Sequence, residues 1–350
     1  MDGALWPTVL GKLVRGEDLA ADEAAAAMAA ILEGAATPVQ IAGFIIALRA
    51  KGETVVEIAS LVRTMLRFAE RVEVPGPLLD TCGTGGDRSG SINVSTIAAF
   101  VAAGAGARVA KHGNRSASSN CGSADLLEAL GVVVDLGPAG VARCIEEAGI
   151  GFCFAPRFHP AMRHAGPTRQ ELGVATTFNF LGPLANPAGA RRQIVGVGDP
   201  AMAELMVTAL AELGSERALV FHGHDGLDEL TTTTTSAVWD LRAGEVITYV
   251  LDPTQLGIPK ALSGDLVGGG PARNAEVTRD VLAGTPGPAR DIVLLNAGAA
   301  LVVAGLADDL AGGIAGARAS IDGGRAAAAL ERLVSLSGAI RAAETEPVAG

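Results

Sequence analysis

The sequence has few aromatic residues and too few basic residues to balance its acids. Phe, Trp and Tyr make up 3% of the 350 residues, and Lys and Arg number 27 against 38 Asp and Glu. The formal net charge of −11 at pH 7 would repel nucleic acids and anionic membranes, so we expect neither as a partner. Hydrophobic residues still make up 49% of the chain, which is typical of a globular protein rather than a disordered one.

Cysteine is also scarce, and its pattern argues against two kinds of site. The four cysteines are Cys82, Cys121, Cys144 and Cys153, and none forms a C-x-x-C pair. No set of His and Cys has the spacing of a zinc site. We interpret the four as small buried residues in a reducing compartment, and not as a disulfide or metal set.

The sequence shows no pattern typical of secretion or of membrane insertion. Its first twenty residues lack a basic region followed by an apolar core. The longest apolar runs, such as TIAAFVAAGAGARVA, are broken by glycine and by Arg108, which indicates buried elements rather than membrane spans. We therefore expect a cytoplasmic protein with no membrane partner.

Two kinds of local pattern divide the chain. In the first part helix signals dominate, and capping-box spacings begin at Thr37 and at Thr54. Short apolar runs then alternate with helical segments and glycine turns, which is typical of an α/β fold with parallel strands. We predict a helical domain over residues 1–74 and an α/β domain over residues 75–345. The predicted strands include PLLD, ARVAKHG, VVVDLG, GFCFAP, RQIVGVGD, RALVFHG and DIVLLNAGAA.

A glycine-rich segment stands between a predicted strand and a predicted helix. It reads DTCGTGGDRSGSINVST and runs from Asp80 to Thr96. Ligands of α/β sheets bind at the carboxyl ends of strands, and glycines let the N–H groups before a helix approach an anion. The segment is no P-loop, and Arg88 replaces the last glycine of a dinucleotide fingerprint. We interpret it as another kind of phosphate site, with a flexible glycine turn as the alternative.

A second anion site and a cation site are predicted at other strand ends. The segment KHGNRSASSNCGSAD, from Lys111 to Asp125, carries cations and hydroxyls after a strand. Two such anion sites imply a ligand with separated phosphates. The adjacent acids Asp228 and Glu229 would repel that ligand unless a metal ion lay between them, and Mg²⁺ commonly bridges carboxylates and phosphates. The alternative is a pair of solvated acids in a turn.

A further segment is rich in Pro, Gly and Arg. It spans residues 157–187 and reads RFHPAMRHAGPTRQELGVATTFNFLGPLANP. The fork of an arginine side chain matches a carboxylate bidentately, which suits a carboxylate-bearing ligand. We interpret Arg163 and His164 in this segment as surface residues.

In chain order, these segments closely resemble those of anthranilate phosphoribosyltransferases, enzymes of tryptophan biosynthesis, especially the actinobacterial type. The resemblance rests on GTGGD, NVST, KHGNR, GSADLLEALG, HPAMR, RQELG, TFNFLGPLANP and DGLDE. It implies a small helical N-terminal domain plus a large α/β domain with a central mixed, mostly parallel sheet, as in the nucleoside phosphorylase/phosphoribosyltransferase-like fold. It also implies that residues 165–190 return to the helical domain and that two chains form a homodimer through these domains.

The resemblance further implies substrates, a metal and their binding residues. The donor would be 5-phosphoribosyl 1-diphosphate (PRPP) with Mg²⁺, and the acceptor anthranilate. The catalytic residues would be Lys111, Asp228 and Glu229, and the metal ligands Ser95, Asp228 and Glu229. The substrate-binding residues would be Gly83, Gly86, Asp87, Ser91, Asn93, Val94, Ser95, Thr96, Lys111, His112, Gly113, Asn114, Arg115, Ser116, Ala117, Ser118, Ser119, Ser123, His159 and Arg169.

The same resemblance assigns the acceptor side and reveals departures from the family pattern. Arg169 would hold or guide the anthranilate carboxylate, and His112 and His159 would line the acceptor pocket. Arg88 stands where glycine is common, and Phe158 where histidine is common. Both departures leave the acceptor side less defined than the donor side.

Two alternatives compete with the transferase interpretation. Pyrimidine nucleoside phosphorylases share this fold and also place a lysine and serines after a glycine loop. Some relatives of the family bind nucleic acid through a basic surface. The GTGGD, KHGNR and DE set favours the transferase, and the net charge of −11 argues against nucleic acid.

Overall fold

The N-terminal part of the chain folds into four helices. The structure, a computed structural model, describes residues 5–116 and 120–345. These first helices are α1 (Leu5–Val14), α2 (Ala21–Leu32), α3 (Pro38–Lys51) and α4 (Val55–Arg67). At the start of α3, the Thr37 N–H donates to Gln40 Oε1 at 2.9 Å and the Gln40 N–H donates to Thr37 Oγ1 at 3.3 Å. Thr54 and Glu57 form the same capping box at α4, so both predicted helix starts are confirmed.

Seven strands of the described chain form one sheet in the order β3-β2-β1-β4-β5-β6-β7. They are β1 (Leu79–Gly83), β2 (Val109–Gly113), β3 (Ile150–Phe154), β4 (Arg192–Gly196), β5 (Arg217–Gly223), β6 (Ser236–Arg242) and β7 (Glu245–Leu251). The first five strands pair in parallel, whereas β5 with β6 and β6 with β7 pair antiparallel. The predicted mixed, mostly parallel sheet is confirmed.

Eleven more helices in the described chain connect and cover the strands. They are α5 (Val94–Gly104), α6 (Ser123–Ala129), α7 (Pro138–Ala148), α8 (Ala155–Phe158), α9 (Gly166–Leu172), α10 (Phe178–Leu184), α11 (Ala203–Glu212), α12 (Pro271–Leu282), α13 (Pro288–Ala304), α14 (Leu310–Asp322) and α15 (Arg325–Thr345). None of the helices in the part of the chain that the structure describes is long and apolar enough to cross a membrane.

Two of the predicted strands are wrong. DIVLLNAGAA belongs to helix α13, in which every residue from Ile292 to Val303 is buried. A helix that is apolar all round lacks the 3.6-residue period, so its sequence resembles that of a buried strand. VVVDLG pairs with no strand, because the Val133 N–H donates instead to Ser337 Oγ of α15 at 3.1 Å.

The strands β6 and β7 form a hairpin that the sequence analysis did not predict. Ala243 and Gly244 connect them, with φ of 50° and 85°. Positive φ at both residues of a two-residue loop is the geometry of a type I′ turn, for which Asn-Gly is the favoured sequence. Alanine at the first position removed the signal that would have revealed the hairpin.

Two hydrophobic cores lie on opposite faces of the sheet. Ile194 and Val195 are consecutive on β4, and each belongs to a different core. One core contains α5, α13 and α15, while the other combines the four N-terminal helices with α10 and α11. The predicted domain limits at residues 74 and 75, and the return of residues 165–190, stay predictions.

Candidate active site

The topology of the sheet creates a crevice at the carboxyl end of β1. From β1 the chain adds β2 and β3 on one side, and then β4 and β5 on the other. Loops that leave such a reversal point in opposite directions open a crevice in which α/β proteins bind ligands. Gly83 and Gly196 lie opposite each other as the last paired residues of β1 and β4, so they form the floor of this crevice.

The predicted glycine-rich segment forms a loop over residues 84–93 between β1 and α5. Gly85, Gly86 and Gly90 all have positive φ, and Arg88 shares that left-handed conformation with φ of 56°. Because an L-residue is strained there, the position suits the glycine that is common in the family pattern. The Gly85 N–H donates to Asp228 Oδ2 at 2.8 Å, so the loop contacts the acidic segment after β5.

The acidic segment reaches the crevice because two glycines leave room for it. A Cβ on Gly196 would lie 1.5 Å from the backbone oxygen of Asp228, and a Cβ on Gly83 would lie 2.3 Å from Asp228 Oδ2. At Gly196 the obstacle is backbone, so no side chain fits there, whereas a side chain at Gly83 would displace the Asp228 carboxylate. Gly83 was predicted as a site residue and Gly196 was not, although a glycine at the end of a strand is a signal of close backbone approach.

Glu229 and Lys111 are both buried beside Ser95, at the start of α5. Glu229 Oε1 accepts the Ser95 N–H at the start of α5 at 3.0 Å. Its other oxygen, Oε2, is buried and has no hydrogen-bond partner among residues 5–116 and 120–345. Lys111 Nζ donates to the Thr81 carbonyl at 2.5 Å and lies 3.5 Å from Ser95 Oγ. The residues predicted as catalytic and metal-binding therefore come together at one place.

Burial and mutual repulsion shift the pKa values of these groups. Burial, with the negative charge of Asp87, raises the pKa of Asp228 to about 7. Burial and the charge of Asp228 raise the pKa of Glu229 well above its ordinary value. Burial also lowers the pKa of Lys111, although the nearby acids oppose that effect. A cation placed between the acids would relieve both the repulsion and the cost of burial.

The donor set at this place fits a hard divalent cation. Carboxylate and hydroxyl oxygens are what Mg²⁺ binds, and the unpartnered Glu229 Oε2 is a free ligand atom. No group of three His, Cys, Asp or Glu side chains within residues 5–116 and 120–345 could hold a metal ion by itself. The protein would thus provide two carboxylates and leave the other positions to ligand oxygens and water, as Mg²⁺ sites do.

Several predicted residues of the two loops contact protein groups through their side chains. Val94 and Thr96 are buried in the core, so only their backbones face the loop. The Asn93 side chain donates to the Cys121 carbonyl at 3.0 Å and accepts from Asn274 Nδ2 at 2.8 Å. The Asp87 carboxylate accepts from the Ser89 hydroxyl, and its negative charge helps to raise the pKa of Asp228.

The segment after β2 lies beside the glycine-rich loop. Arg115 forms ion pairs with Asp125 and Glu128 of α6, so its charge is neutralised by the protein. Ser123 Oγ and the Ala124 N–H both donate to the Asn114 carbonyl. The predicted Ala117, Ser118 and Ser119 lie outside the described residues. Two predicted positions remain in this segment. A Cβ added at Gly113 would lie 2.2 Å from Ser123 Oγ, and the Ser116 N–H donates to Asp125.

His112 and His159 form a buried pair with their rings 5.2 Å apart. His112 Nδ1 lies 3.1 Å from the Gly182 carbonyl, and His159 Nε2 lies 3.0 Å from the Ala185 carbonyl. A ring nitrogen that faces a carbonyl must carry the proton, so His112 Nε2 and His159 Nδ1 are bare acceptors. Both nitrogens are buried, and neither has a hydrogen-bond partner in the part of the chain that the structure describes. Burial lowers the pKa of His112 to about 3 and that of His159 to about 4, so both rings are neutral.

Arg169 lies on α9 with its guanidinium 5.6 Å from the ring centre of Phe178. Burial lowers its pKa, and among the residues that the structure describes no acid pairs with it. A partly buried arginine that stacks on an aromatic ring and lacks a carboxylate is suited to bind one from a ligand.

Three polar residues that sequence reasoning missed support the site. Asp80 is fully buried, accepts the His112 N–H at 3.0 Å and accepts from Asn186 Nδ2 at 2.7 Å. Asn274 holds Asn93. Asp80 starts the quoted glycine-rich segment, but it lies within β1 and so gave no sign of a role in the site. No sequence pattern near Asn186 or Asn274 indicates a contact across the fold.

Comparison with known proteins identifies the family. The family model "Glycosyl transferase family, a/b domain" matches residues 75–327, and "Glycosyl transferase family, helical bundle domain" matches residues 7–69. An anthranilate phosphoribosyltransferase of Nocardioides sp. is 58% identical over 335 residues, covering 94% of this chain and 98% of that protein. One of Arthrobacter sp. is 54% identical over 341 residues, covering 96% and 97%.

Solved structures agree with these relatives. The crystal structure of anthranilate phosphoribosyltransferase from Thermus thermophilus has a TM-score of 0.90 at 46% identity, covering 94% of this chain and 99% of that one. The enzyme from Saccharomyces cerevisiae, in complex with PRPP and Mg, has a TM-score of 0.88 at 28% identity, covering 97% and 99%. The chain therefore belongs to the anthranilate phosphoribosyltransferases, enzymes of the glycosyl transferase family that carries a helical bundle and an α/β domain.

Proposed function

We propose that this protein transfers the phosphoribosyl group of PRPP to the amine of anthranilate in tryptophan biosynthesis. A bond forms between the amine nitrogen and C1 of the ribose, and the bond from C1 to the diphosphate oxygen breaks. The products are N-(5-phosphoribosyl)anthranilate and diphosphate, and the nitrogen loses one proton. The observation that carries the proposal is the crevice at β1, where the glycine-rich loop, Lys111 and the two acids meet.

On the donor side, the chain supplies charge and backbone donors for diphosphate. Ser95, Asp228 and Glu229 would hold Mg²⁺, which would act as a Lewis acid toward the leaving diphosphate. Lys111 is buried among these groups, and a cation in a site of low polarity stabilises developing negative charge strongly. The glycine-rich loop would place backbone N–H groups beside the phosphates.

On the acceptor side, the chain orients a small aromatic amino acid. Arg169, which no acid of the described residues pairs with, would bind the carboxylate, and the neutral rings of His112 and His159 would line the acceptor pocket. The amine of anthranilate is neutral at pH 7, so its lone pair is free and no strong base is needed. Placement of the two substrates would supply much of the rate enhancement.

Loss of anthranilate fluorescence tests the proposal directly. We expect the signal to fall only when protein, PRPP and Mg²⁺ are all present, and to stay constant when any one is omitted or when EDTA is added. Constant fluorescence with all three present, while PRPP still binds, would leave the donor site in place and reject anthranilate as the acceptor. Phosphate-dependent cleavage of a pyrimidine nucleoside would favour the phosphorylase alternative.

Two sets of variants separate the two halves of the site. Asp228→Asn with Glu229→Gln should lower kcat at least about a hundredfold and weaken the response to Mg²⁺, because both carboxylates are lost. Unchanged kinetics would remove these acids from the metal site.

The acceptor side has a matched arginine control. Arg169→Ala should raise KM for anthranilate by about tenfold or more while KM for PRPP stays nearly constant. Arg163→Ala serves as the control, because Arg163 is exposed and donates only to the Pro160 carbonyl. Equal effects of Arg169→Ala on both KM values would contradict the acceptor role. The homodimer and the cytoplasmic location stay predictions.

A further inference from the structure

A short segment after the last strand crosses over the glycine-rich loop. We call residues 266–270 the strap. The Ile92 N–H donates to the Leu266 carbonyl at 3.0 Å, and the Gly268 N–H donates to the Gly90 carbonyl at 2.8 Å. Ser91 and Val267 form an antiparallel bridge between these two bonds. The strap therefore fixes the part of the loop that leads into α5.

One buried side chain joins the strap to the loop. Asn274 lies in the first turn of α12 and is 2% exposed. Its Oδ1 accepts the Gly269 N–H of the strap at 2.7 Å, and its Nδ2 donates to Asn93 Oδ1 at 2.8 Å. Both hydrogen-bonding ends of the amide are thus used, and a buried amide that lost them would be costly.

The series of hydrogen bonds continues to Cys121, in the segment that leads from β2 to α6. Asn93 Nδ2 donates to the Cys121 carbonyl at 3.0 Å. Cys121 lies two residues before Ser123, the first residue of α6, which is predicted to bind the same ligand. Every bond runs in the same direction, from the Gly269 N–H through Asn274 and Asn93 to Cys121, so only an amide satisfies the position of Asn274.

We propose that Asn274 is a positioning residue for the PRPP site, holding the glycine-rich loop and the start of α6 in a fixed relative position through Asn93. Asn274 touches no residue of the acceptor side that we have described, so its effect should fall on the donor. The inference rests on the proposed function, because PRPP is the ligand that both loops are proposed to bind.

The two informative variants are Asn274→Leu and Asn274→Asp. Leucine has a similar volume and removes both hydrogen bonds. Aspartate still accepts the Gly269 N–H but can donate neither to Asn93 nor to the Cys121 thiol, so it removes the bonds made by Nδ2 and keeps the bond to the strap. Thr278→Val is the matched control: Thr278 is buried one turn further along α12 and donates only to the Asn274 backbone carbonyl.

Steady-state kinetics and PRPP calorimetry on the full-length protein test the proposal. We expect both Asn274 variants to raise KM and Kd for PRPP about tenfold and KM for anthranilate less than about twofold. Thr278→Val should keep wild-type values. A purely structural role would lower the folded fraction, and hence the apparent kcat, without changing the KM for PRPP.

Three results would overturn the inference. The first is a wild-type Kd for PRPP in both Asn274 variants. The second is a wild-type Kd in Asn274→Asp with a raised one in Asn274→Leu, since the strap bond alone would then suffice. The third is an equal rise in Thr278→Val. If Asn274→Leu does not fold, Asn274→Asp decides. If the wild-type protein binds PRPP but does not consume anthranilate, the proposed acceptor is rejected. Calorimetry with PRPP then still tests the role of Asn274.

Discussion

At the scale of single residues, the crevice depends on side chains that are absent as much as on those that are present. The backbone of Asp228 occupies the space where a Cβ of Gly196 would lie, at 1.5 Å from its oxygen. No rotation of a side chain can relieve that contact, because both atoms belong to the backbone or are fixed to it. Gly196 thus positions Asp228 without offering any chemical group of its own.

Gly196→Ala should therefore displace the acidic segment. We expect a loss of about 2 kcal/mol or more in the free energy of unfolding and at least about a hundredfold loss in kcat/KM. Denaturant titration and steady-state kinetics measure the two effects. Gly338→Ala is the control, since nothing lies near a Cβ at that position of α15, and it should gain up to about 1 kcal/mol. Retained activity in Gly196→Ala would show that the segment can move without cost.

The pKa values of the buried histidine pair predict how the free energy of unfolding depends on pH. In the folded protein the pKa of His112 falls to about 3 and that of His159 to about 4, against 6.5 for an ordinary histidine. Between pH 6.5 and 4 the unfolded chain therefore binds protons that the folded chain does not, and stability must fall as pH falls. Each histidine contributes up to about 1.4 kcal/mol per pH unit in that window.

Variants without one ring test this linkage. Denaturant titrations at pH 7, 6 and 5 should show a shallower pH slope for His112→Gln than for wild type. His224→Gln, at an exposed histidine, is the control and should keep the wild-type slope. An unchanged slope in His112→Gln would mean that His112 titrates alike in the folded and unfolded states.

At the scale of elements, the sequence predicted those that carry a local signal. The capping boxes located the starts of α3 and α4, and the alternation of strands and helices gave the sheet its class. Prediction from the sequence was wrong for α13, because a helix that is buried all round has no 3.6-residue hydrophobic period. It also missed the β6–β7 turn, because Ala243 is not a residue typical of such turns. The loops after β1 and β2 were predicted to bind a ligand from their glycines and hydroxyls, and that stays a prediction, whereas Asn274 was missed because its contacts join distant parts of the chain.

The turn of the β6–β7 hairpin offers a stabilising substitution. Ala243 has φ of 50°, a conformation that costs an alanine about 1 kcal/mol and that asparagine tolerates. Ala243→Asn should raise the free energy of unfolding by about 0.5–1 kcal/mol and leave kcat/KM unchanged. Gly244→Ala, at φ of 85°, should destabilise the same turn. A loss of stability in Ala243→Asn would contradict the assignment of a type I′ turn.

At the scale of the whole molecule, the N-terminal helices and the sheet share a core. Val9 of α1, Phe180 of α10 and Val220 of β5 belong to one continuous set of buried apolar residues. Removing either part would expose the apolar surface of the other. We infer that the two parts unfold together, in one cooperative transition.

Four polar side chains at the edge of this core should contribute to the stability of the fold. We call them the junction: Arg49, Glu53, Thr177 and Asp199. Glu53, which follows α3 and has a side chain that is 1% exposed, accepts the Thr177 hydroxyl and pairs with Arg49 at 3.3 Å. Arg49 also pairs with Asp199 after β4 at 2.9 Å and lies 5.4 Å from the ring centre of Phe180. The junction thus connects α3, the residue before α10 and the loop after β4.

Glu53→Gln tests both the junction and the cooperativity of the molecule. The amide can still accept from Thr177, but it removes the buried negative charge that faces Arg49. We expect a loss of about 1–3 kcal/mol in the free energy of unfolding, and still a single transition, because the shared core is untouched. Glu33→Gln, at an exposed glutamate after α2, should change stability by less than about 0.5 kcal/mol. Two separate transitions in Glu53→Gln would mean that this junction, and not the apolar core, holds the helices to the sheet.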